Sequence, residues 1–282
     1  MNRLSTEKRA QVLGCLVEGM SIRTTVRATG AAKNTVVKLL VDIGKACEEY
    51  QDGLMQDLRC ERIEADEIWA FCYAKRKNVP EEHQDTFDYG DIWTFVAIDA
   101  DTKVVPTWLV GERTSVDAEF FMRDLASRLR HRVQLTTDAA SIYPDAVNVV
   151  WRGDVDYAQI RKIYSTFDRT SPETRYSQPV CTGTEKRVQS GDPDPSLIST
   201  SYVERQNLTM RMGMRRFTRL TNAFSKKVEN IASAVALHFS YYNLCRVHLT
   251  LKETPAMAAG LTDHAWTLTE LAGLLDTPPI SN

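Results

Sequence analysis

Apolar positions in the first fifty residues recur at helical spacing and are interrupted twice by turn residues. Leu13, Leu16 and Val17 give one apolar face, and Gly19-Met-Ser21 breaks it. Ser21 suits the N-cap of a second helix, Ile22 to Thr29, because its hydroxyl can accept from a first-turn amide. Gly30 supplies the tight turn, and a third helix starts near Lys33-Asn34-Thr35 and runs through Val36, Leu39, Leu40 and Ile43. This spacing predicts a helix-turn-helix unit over residues 1–50, followed by a polar, acidic link from Glu48 to Asp57.

The period then changes from helix to strand. Arg62 to Tyr73 alternates as a strand with Asp66 near its middle, and 75–90 reads as a charged loop. Asp91 to Asp99 is a second strand, joined by the turn Asp101-Thr-Lys to a third, Val104 to Val110. Ser115 to Arg130 is helical, with Phe120, Phe121, Leu125 and Leu129 along it, and Val133 to Thr137 is a fourth strand. Three hairpin-connected strands, a helix and a further strand make the opening order of a ribonuclease-H-like sheet. The expected class is therefore α/β: a mixed sheet flanked by helices, preceded by an all-α helix-turn-helix domain. Residues 151–200 hold Pro172, Pro179, Pro193 and Pro195, which predicts an irregular insertion there. Helices follow at Ser201 to Met214 and Asn222 to Tyr242, and a short one at Trp266 to Leu275. The expected domains are 1–50, a catalytic unit over 58–250, and a tail over 251–282.

Charge changes this picture locally, not globally. The net charge is −2, yet residues 1–45 carry +5 and residues 199–252 carry +7. Two basic segments around an acidic centre suit a phosphate-binding protein, and they equally describe solvated helix faces. The polar start of the third helix would present Lys33, Asn34, Thr35 and Lys38 to a DNA major groove; a three-helix core without a DNA role has the same pattern. Six cysteines without a C-x-x-C pair argue against a zinc finger or a disulfide framework. The N-terminus lacks the apolar core of a signal peptide, and Ile231 to Phe239 is too short to span a bilayer. The expectation is a cytoplasmic, nucleoid-associated protein with no membrane contact.

Three acids carry the candidate chemistry. Asp66 lies in the apolar segment Ile63 to Phe71, Asp138 ends the run Val133 to Asp138, and Glu204 opens a basic helix. Carboxylates at strand ends, with one on a basic helix, suit hard divalent ions such as Mg²⁺ or Mn²⁺. Two such ions about 3.5–4 Å apart stabilise both the attacking and the leaving oxygen in phosphodiester attack. Asp66 is the candidate bridge, with Asp138 and Glu204 completing one shell each. Arg211 follows Glu204 by seven residues on the same helix face, and Arg205, Arg215 and Arg216 extend the basic stretch toward DNA phosphates. Each acid has a plainer explanation. Asp66 also reads as a satisfied core group, Asp138 as the cap of a helix over Ala139 to Tyr143, and Glu204 as a first-turn acid. Glu67 alternates to the opposite face and is set aside. Asp99, beside a hairpin turn, is the strongest rival ligand.

The segments Ala-Asp66-Glu-Ile-Trp, Thr-Thr-Asp138-Ala-Ala-Ser-Ile-Tyr and Tyr-Val-Glu204-Arg-Gln-Asn-Leu resemble the motif blocks of bacterial insertion-sequence transposases of the DDE type. The stretch Tyr242-Asn-Leu-Cys-Arg246-Val-His248-Leu-Thr-Leu with Thr254-Pro255 resembles the tail of that group, so the likeness spans about residues 60–258. The resemblance implies Asp66, Asp138 and Glu204 as the catalytic and metal-holding triad, with Arg211 as its basic neighbour. It implies a divalent cofactor, element-end and target DNA as partners, and a homo-oligomer assembled on that DNA. The implied reaction is strand cleavage and strand transfer. A DNA-binding regulator derived from a transposase, or another ribonuclease-H-like nuclease or resolvase, is the alternative. The chain departs from some relatives in lacking a cysteine zinc finger before the helix-turn-helix.

Overall fold

The computed structural model describes residues 4–165, 180–218 and 221–276. Three helices open the chain: α1 (Thr6–Val17), α2 (Ile22–Thr29) and α3 (Lys33–Leu54). Ser21 caps α2 as its chemistry suggests, accepting from the Thr24 amide at 3.1 Å. Gly30 ends α2 in the left-handed conformation, φ 70°, which only glycine adopts at little cost.

The helix α3 does not stop at Glu48. Val36, Leu39, Leu40, Ile43, Gly44, Cys47 and Gln51 are all buried, so one face continues across the expected link. The acidic residues Glu48, Glu49 and Asp52 cover the outer face and disguise the inner one.

A six-stranded sheet follows, in the order β3-β2-β1-β4-β5-β6. Its members are β1 (Arg62–Cys72), β2 (Gly90–Asp99), β3 (Trp108–Gly111), β4 (Gln134–Asp138), β5 (Asp156–Tyr164) and β6 (Cys181–Ser190). β1 to β3 are antiparallel neighbours, β4 runs parallel to β1, and β5 runs parallel to β4. This is the mixed α/β, ribonuclease-H-like sheet that the strand order predicts. The third strand is shorter than its apolar run, because Pro106 lacks the N–H that the ladder needs. Beside it, the Asn243 side chain accepts from the Val105 amide and donates to the Val105 carbonyl, both at 3.0 Å, in place of a neighbouring strand.

The stretch expected to be irregular holds β5 and β6 instead. β6 is exposed on both faces and almost wholly polar, so it shows no alternation to read. The prolines 172 and 179 lie outside the described residues, and Pro193 and Pro195 follow β6.

Helices cover both faces of the sheet. On one lie α4 (Ser115–Arg128) and α5 (Tyr143–Trp151), packed over Ile63, Ala65, Phe95 and Leu135. On the other lie α6 (Ser201–Gly213) and α7 (Val228–Ser240), over Ile68, Ala70 and Val96. The apolar cluster on this second face is continuous with the buried faces of α1 and α3. Residues 222–227, expected to start a helix, instead run past the end of β1, where Tyr73 N–H donates to the Ser225 carbonyl at 2.8 Å. The chain closes with α8 (Pro255–Ala258) and α9 (Leu268–Gly273). Among the described residues no helix is long and apolar enough to cross a membrane.

Gly44 sets how closely α3 approaches α7. A Cβ there would stand 2.5 Å from both Cα and Cβ of Ser233. Gly44→Ala forces the helices apart despite its better helix propensity, so we expect a loss of about 1–3 kcal/mol in urea unfolding. A stability equal to or above that of the parent chain would show that this contact is not tight.

Candidate metal and nucleic-acid site

The site begins with a central strand that carries too many acids to bury comfortably. On β1, Glu64, Asp66 and Glu67 point into covered faces of the sheet, and each acquires partners from outside it: Glu64 and Asp66 from α6, Glu67 from α5 and from Arg113. Glu64, 3% exposed, accepts from the backbone amides of Tyr202 at 2.7 Å and Val203 at 3.1 Å. Those amides belong to the first turn of α6, where the helix dipole favours an anion. Burial raises the Glu64 pKa, and these two donors work against the rise. The contact fixes the start of α6, and Glu204 is the next residue along.

One turn into α6, Asn207 donates to Asp66 Oδ2 at 2.9 Å. Asp138 ends β4, where its side chain accepts from the Ala140 amide at 3.0 Å in a local turn. It does not cap a helix over residues 139–143, because α5 starts at Tyr143 behind Ile142. Gln159 on β5 steadies that turn, donating to the Asp138 carbonyl at 2.9 Å and the Ala140 carbonyl at 3.2 Å.

Carboxylate oxygens of Asp66, Glu67 and Asp138 lie within 4.8 Å of one another. Alternation does send Glu67 toward α5, where it accepts from Tyr143 Oη at 2.7 Å and pairs with Arg113 at 2.5 Å. Its inclusion follows from the sheet. The pairing of β1 with β4 ends at Ala65 and Thr137, so beyond it the edge of β1 is open toward Asp138. A glutamate side chain is long enough to reach that opening from the far face. A buried glutamate needs a partner, and this was the available signal in the pair Asp66-Glu67. Arg113 is itself held over the Trp93 ring, 5.0 Å from its centroid.

Glu204 stands at the edge of this group. It is close enough for its charge to raise the pKa of both Asp66 and Asp138, but it lies outside the 4.8 Å set. Thr200 Oγ1 donates to one of its oxygens at 2.7 Å, and Lys162 Nζ forms an ion pair with the other. Lys162 was invisible in the sequence because β5 lay in the segment read as irregular. Asp99, the rival ligand, is buried at the end of β2, past Val96 which pairs with Asp66; it is in register with Ile63 and bonded to Thr102 at its own turn.

Desolvation, followed by the charge of Glu67, pushes the Asp66 carboxyl up to about 7. The same two causes, in the same order, push Asp138 up to about 6. Oxygens so crowded that they hold protons near neutrality fit a hard divalent cation, which relieves the same repulsion. Asp66, Glu67 and Asp138 are the donors placed to hold it, with Glu204 beside them.

The basic candidates divide into two groups. Lys33, Asn34, Thr35 and Lys38 are exposed on the first turns of α3, and Lys38 pairs with Asp42 at 2.5 Å. Arg205 and Arg215 are exposed, and Arg211 is half-buried in the last turn of α6. Arg216 turns inward, donating to Ser225 Oγ at 3.0 Å and to the Asn230 carbonyl. Its burial lowers the guanidinium pKa to about 10.

No protein-family model and no curated protein matches the chain. Among solved structures it is similar to a piggyBac transposase synaptic complex with hairpin DNA, at 12% identity and a TM-score of 0.39, covering 97% of this chain and 71% of that one. It is also similar to a pre-cleavage Mos1 transpososome, at 9% identity and a TM-score of 0.26, covering 85% and 78%. Likeness at these levels decides nothing about the chain, and the functional reading rests on the residues above.

The raised carboxyl pKa values have a consequence for stability. The folded chain retains protons on Asp66 and Asp138 that the unfolded chain releases near pH 4. Their contribution is therefore greatest below pH 4 and drains away as pH rises through about 6 and 7. Asp66→Asn removes one of these charges and keeps an acceptor for Asn207. In EDTA at pH 8 we expect the variant to be more stable by on the order of 1–3 kcal/mol, converging with the parent near pH 4. A gap independent of pH between 4 and 8 would remove the electrostatic account.

Proposed function

We propose that the chain is a metal-dependent DNA transposase of the DDE type, with Asp66, Asp138 and Glu204 as its catalytic acids. The observation that carries this reading is the convergence of Asp66, Glu67 and Asp138 oxygens within 4.8 Å, with Glu204 delivered beside them by a helix tied to β1. Two carboxylates on adjacent parallel strands and one on a helix make an open, acidic, oxygen-only donor set. Bound Mg²⁺ or Mn²⁺, as two ions, would activate a water or a 3′-hydroxyl and stabilise the charge on the leaving oxygen.

The remaining tasks fall to the chain's own side chains. Glu64 holds α6 at a fixed height over β1, and Asn207 orients Asp66. Arg113 and Tyr143 hold the Glu67 carboxylate against the group. Lys162 and Arg211 place positive charge near the phosphate that the carboxylates receive. Residues 1–50 form the DNA-reading unit, with Lys33, Asn34, Thr35 and Lys38 turned to the bases and phosphates of an element end. Arg205 and Arg215 contact the backbone. Residues 58–250 do the chemistry, residues 251–282 form a tail, and the active species is a homo-oligomer assembled on DNA.

In a supercoiled-plasmid assay with Mg²⁺, Asp66→Asn, Asp138→Asn and Glu204→Gln should each reduce nicking by on the order of a hundredfold or more. DNA binding should survive in all three. Glu67→Gln should cost less, roughly 10–100-fold, as expected of a group that supports the ligands. Binding without nicking by the parent chain would favour a DNA-binding regulator, and retained nicking in one variant would remove that acid from the triad.

A further inference from the structure

A cleft of about 440 Å³ opens where the α1–α2 turn meets the start of α3 and the end of α6. Its location follows from one contact. Gly19, φ 75°, lets the turn approach the end of α6 so closely that a Cβ there would stand 2.8 Å from the Gly213 carbonyl oxygen. The helix bearing Glu204 thus ends against the unit bearing Lys33. Along α6 the separation from Glu204 to Gly213 is about 14 Å, or roughly four base steps of duplex.

The lining is one-sided in charge. Arg23, Lys33, Arg215 and Arg216 border the cleft, and among the described residues no aspartate or glutamate lines it. This is notable in a chain whose net charge is −2. Arg23, Lys33 and Arg215 are exposed, and no acidic side chain among the described residues pairs with them. Several arginines elsewhere on the molecule are instead paired with acids, as in Arg62–Asp101, Arg128–Asp124 and Arg132–Asp156. The rest of the lining is mostly apolar, including Leu16, Leu40, Leu237 and the half-buried Phe224, whose ring lies 5.3 Å from that of Phe71, with the His238 ring and Asn222 beside them.

A cationic rim over an apolar, partly aromatic interior matches one nucleotide, with its phosphate at the rim and its base inside. The volume falls in the range of small-ligand sites, and an intact duplex cannot enter it. We propose that this cleft receives a single unstacked nucleotide of the bound DNA, its phosphate on Arg23, Lys33 and Arg215 and its base against Phe224. The inference rests on the reading that the chain acts on DNA.

The test uses the full chain and two fluorescein-labelled duplexes of one sequence, one fully paired and one with a single bulged 2-aminopurine. A bulged base is already unstacked, so anisotropy should show about tenfold tighter binding of the bulged duplex, a gain that a pocket spared the unstacking cost can deliver. The 2-aminopurine emission should fall as the base packs on Phe224. Phe224→Ala should reverse that fall, and Ala223→Trp, which fills the mouth, should abolish the preference while leaving the paired duplex bound. Arg23→Ala, on the exposed rim, should weaken the bulged complex most at low salt. Equal affinity of the parent chain for both duplexes overturns the nucleotide cleft and leaves DNA binding standing. Absence of binding to either overturns both. Ala223→Trp and Phe224→Ala that fold, judged by circular dichroism, and keep the full preference also overturn it.

Discussion

Burying carboxylates in the central strand of a sheet is the constraint from which the rest of this structure follows. Without partners, Glu64, Asp66 and Glu67 would each cost several kcal/mol on β1. Each is resolved by recruiting partners from outside the sheet. Glu64 draws in the N-terminus of α6, Asp66 draws in Asn207, and Glu67 draws in Arg113 and Tyr143. The layers therefore meet at the acids as well as at the apolar clusters. A site assembled this way has its geometry set before any ligand arrives. The residual repulsion, visible in the raised carboxyl pKa values of Asp66 and Asp138, is the part left for a ligand to relieve.

Much of this arrangement was legible in the chain, and the losses have physical reasons. The strand order, the Ser21 cap and the Gly30 turn all rest on local signals, period and turn chemistry, and these are encoded residue by residue. Asp66 and Asp138 stood out because an acid inside an apolar run is costly. Glu67 was discounted because alternation assigns a face but says nothing of how far a long side chain reaches past the end of a neighbouring strand. Lys162 was hidden because β5 and β6 lack apolar alternation, with β6 a polar edge strand stabilised by its ladder with β5. The continuation of α3 past Glu48 was obscured by acids on the outer face of a helix whose inner face stays buried.

Charge on the molecule is sorted by location. Around the sheet, Arg62 and Arg132 are neutralised by acids of neighbouring segments, and Lys162 neutralises Glu204 at the acidic centre itself. At the junction of the N-terminal helices with α6, the exposed cations Arg23, Lys33 and Arg215 have no acidic partner among the described residues. A near-neutral chain can thus present an acidic centre and a basic approach some 14 Å apart along one helix. That separation keeps the two fields from cancelling, since it exceeds the screening length of physiological salt.

The helix α3 runs without a break for 22 residues from its exposed N-terminal turn to the side of the sheet, about 33 Å. At Gly44 it is wedged against α7 with no space for a methyl group. Under the proposed reading, the part that reads DNA is thus one end of a rod whose other end is embedded in the catalytic core. The spacing between the bases recognised and the bond broken then behaves as a ruler cut in helical rise, not as a tether of variable length. A single residue inserted in that rod would turn the reading face by about 100° and advance it 1.5 Å, so position and orientation on DNA are inherited together.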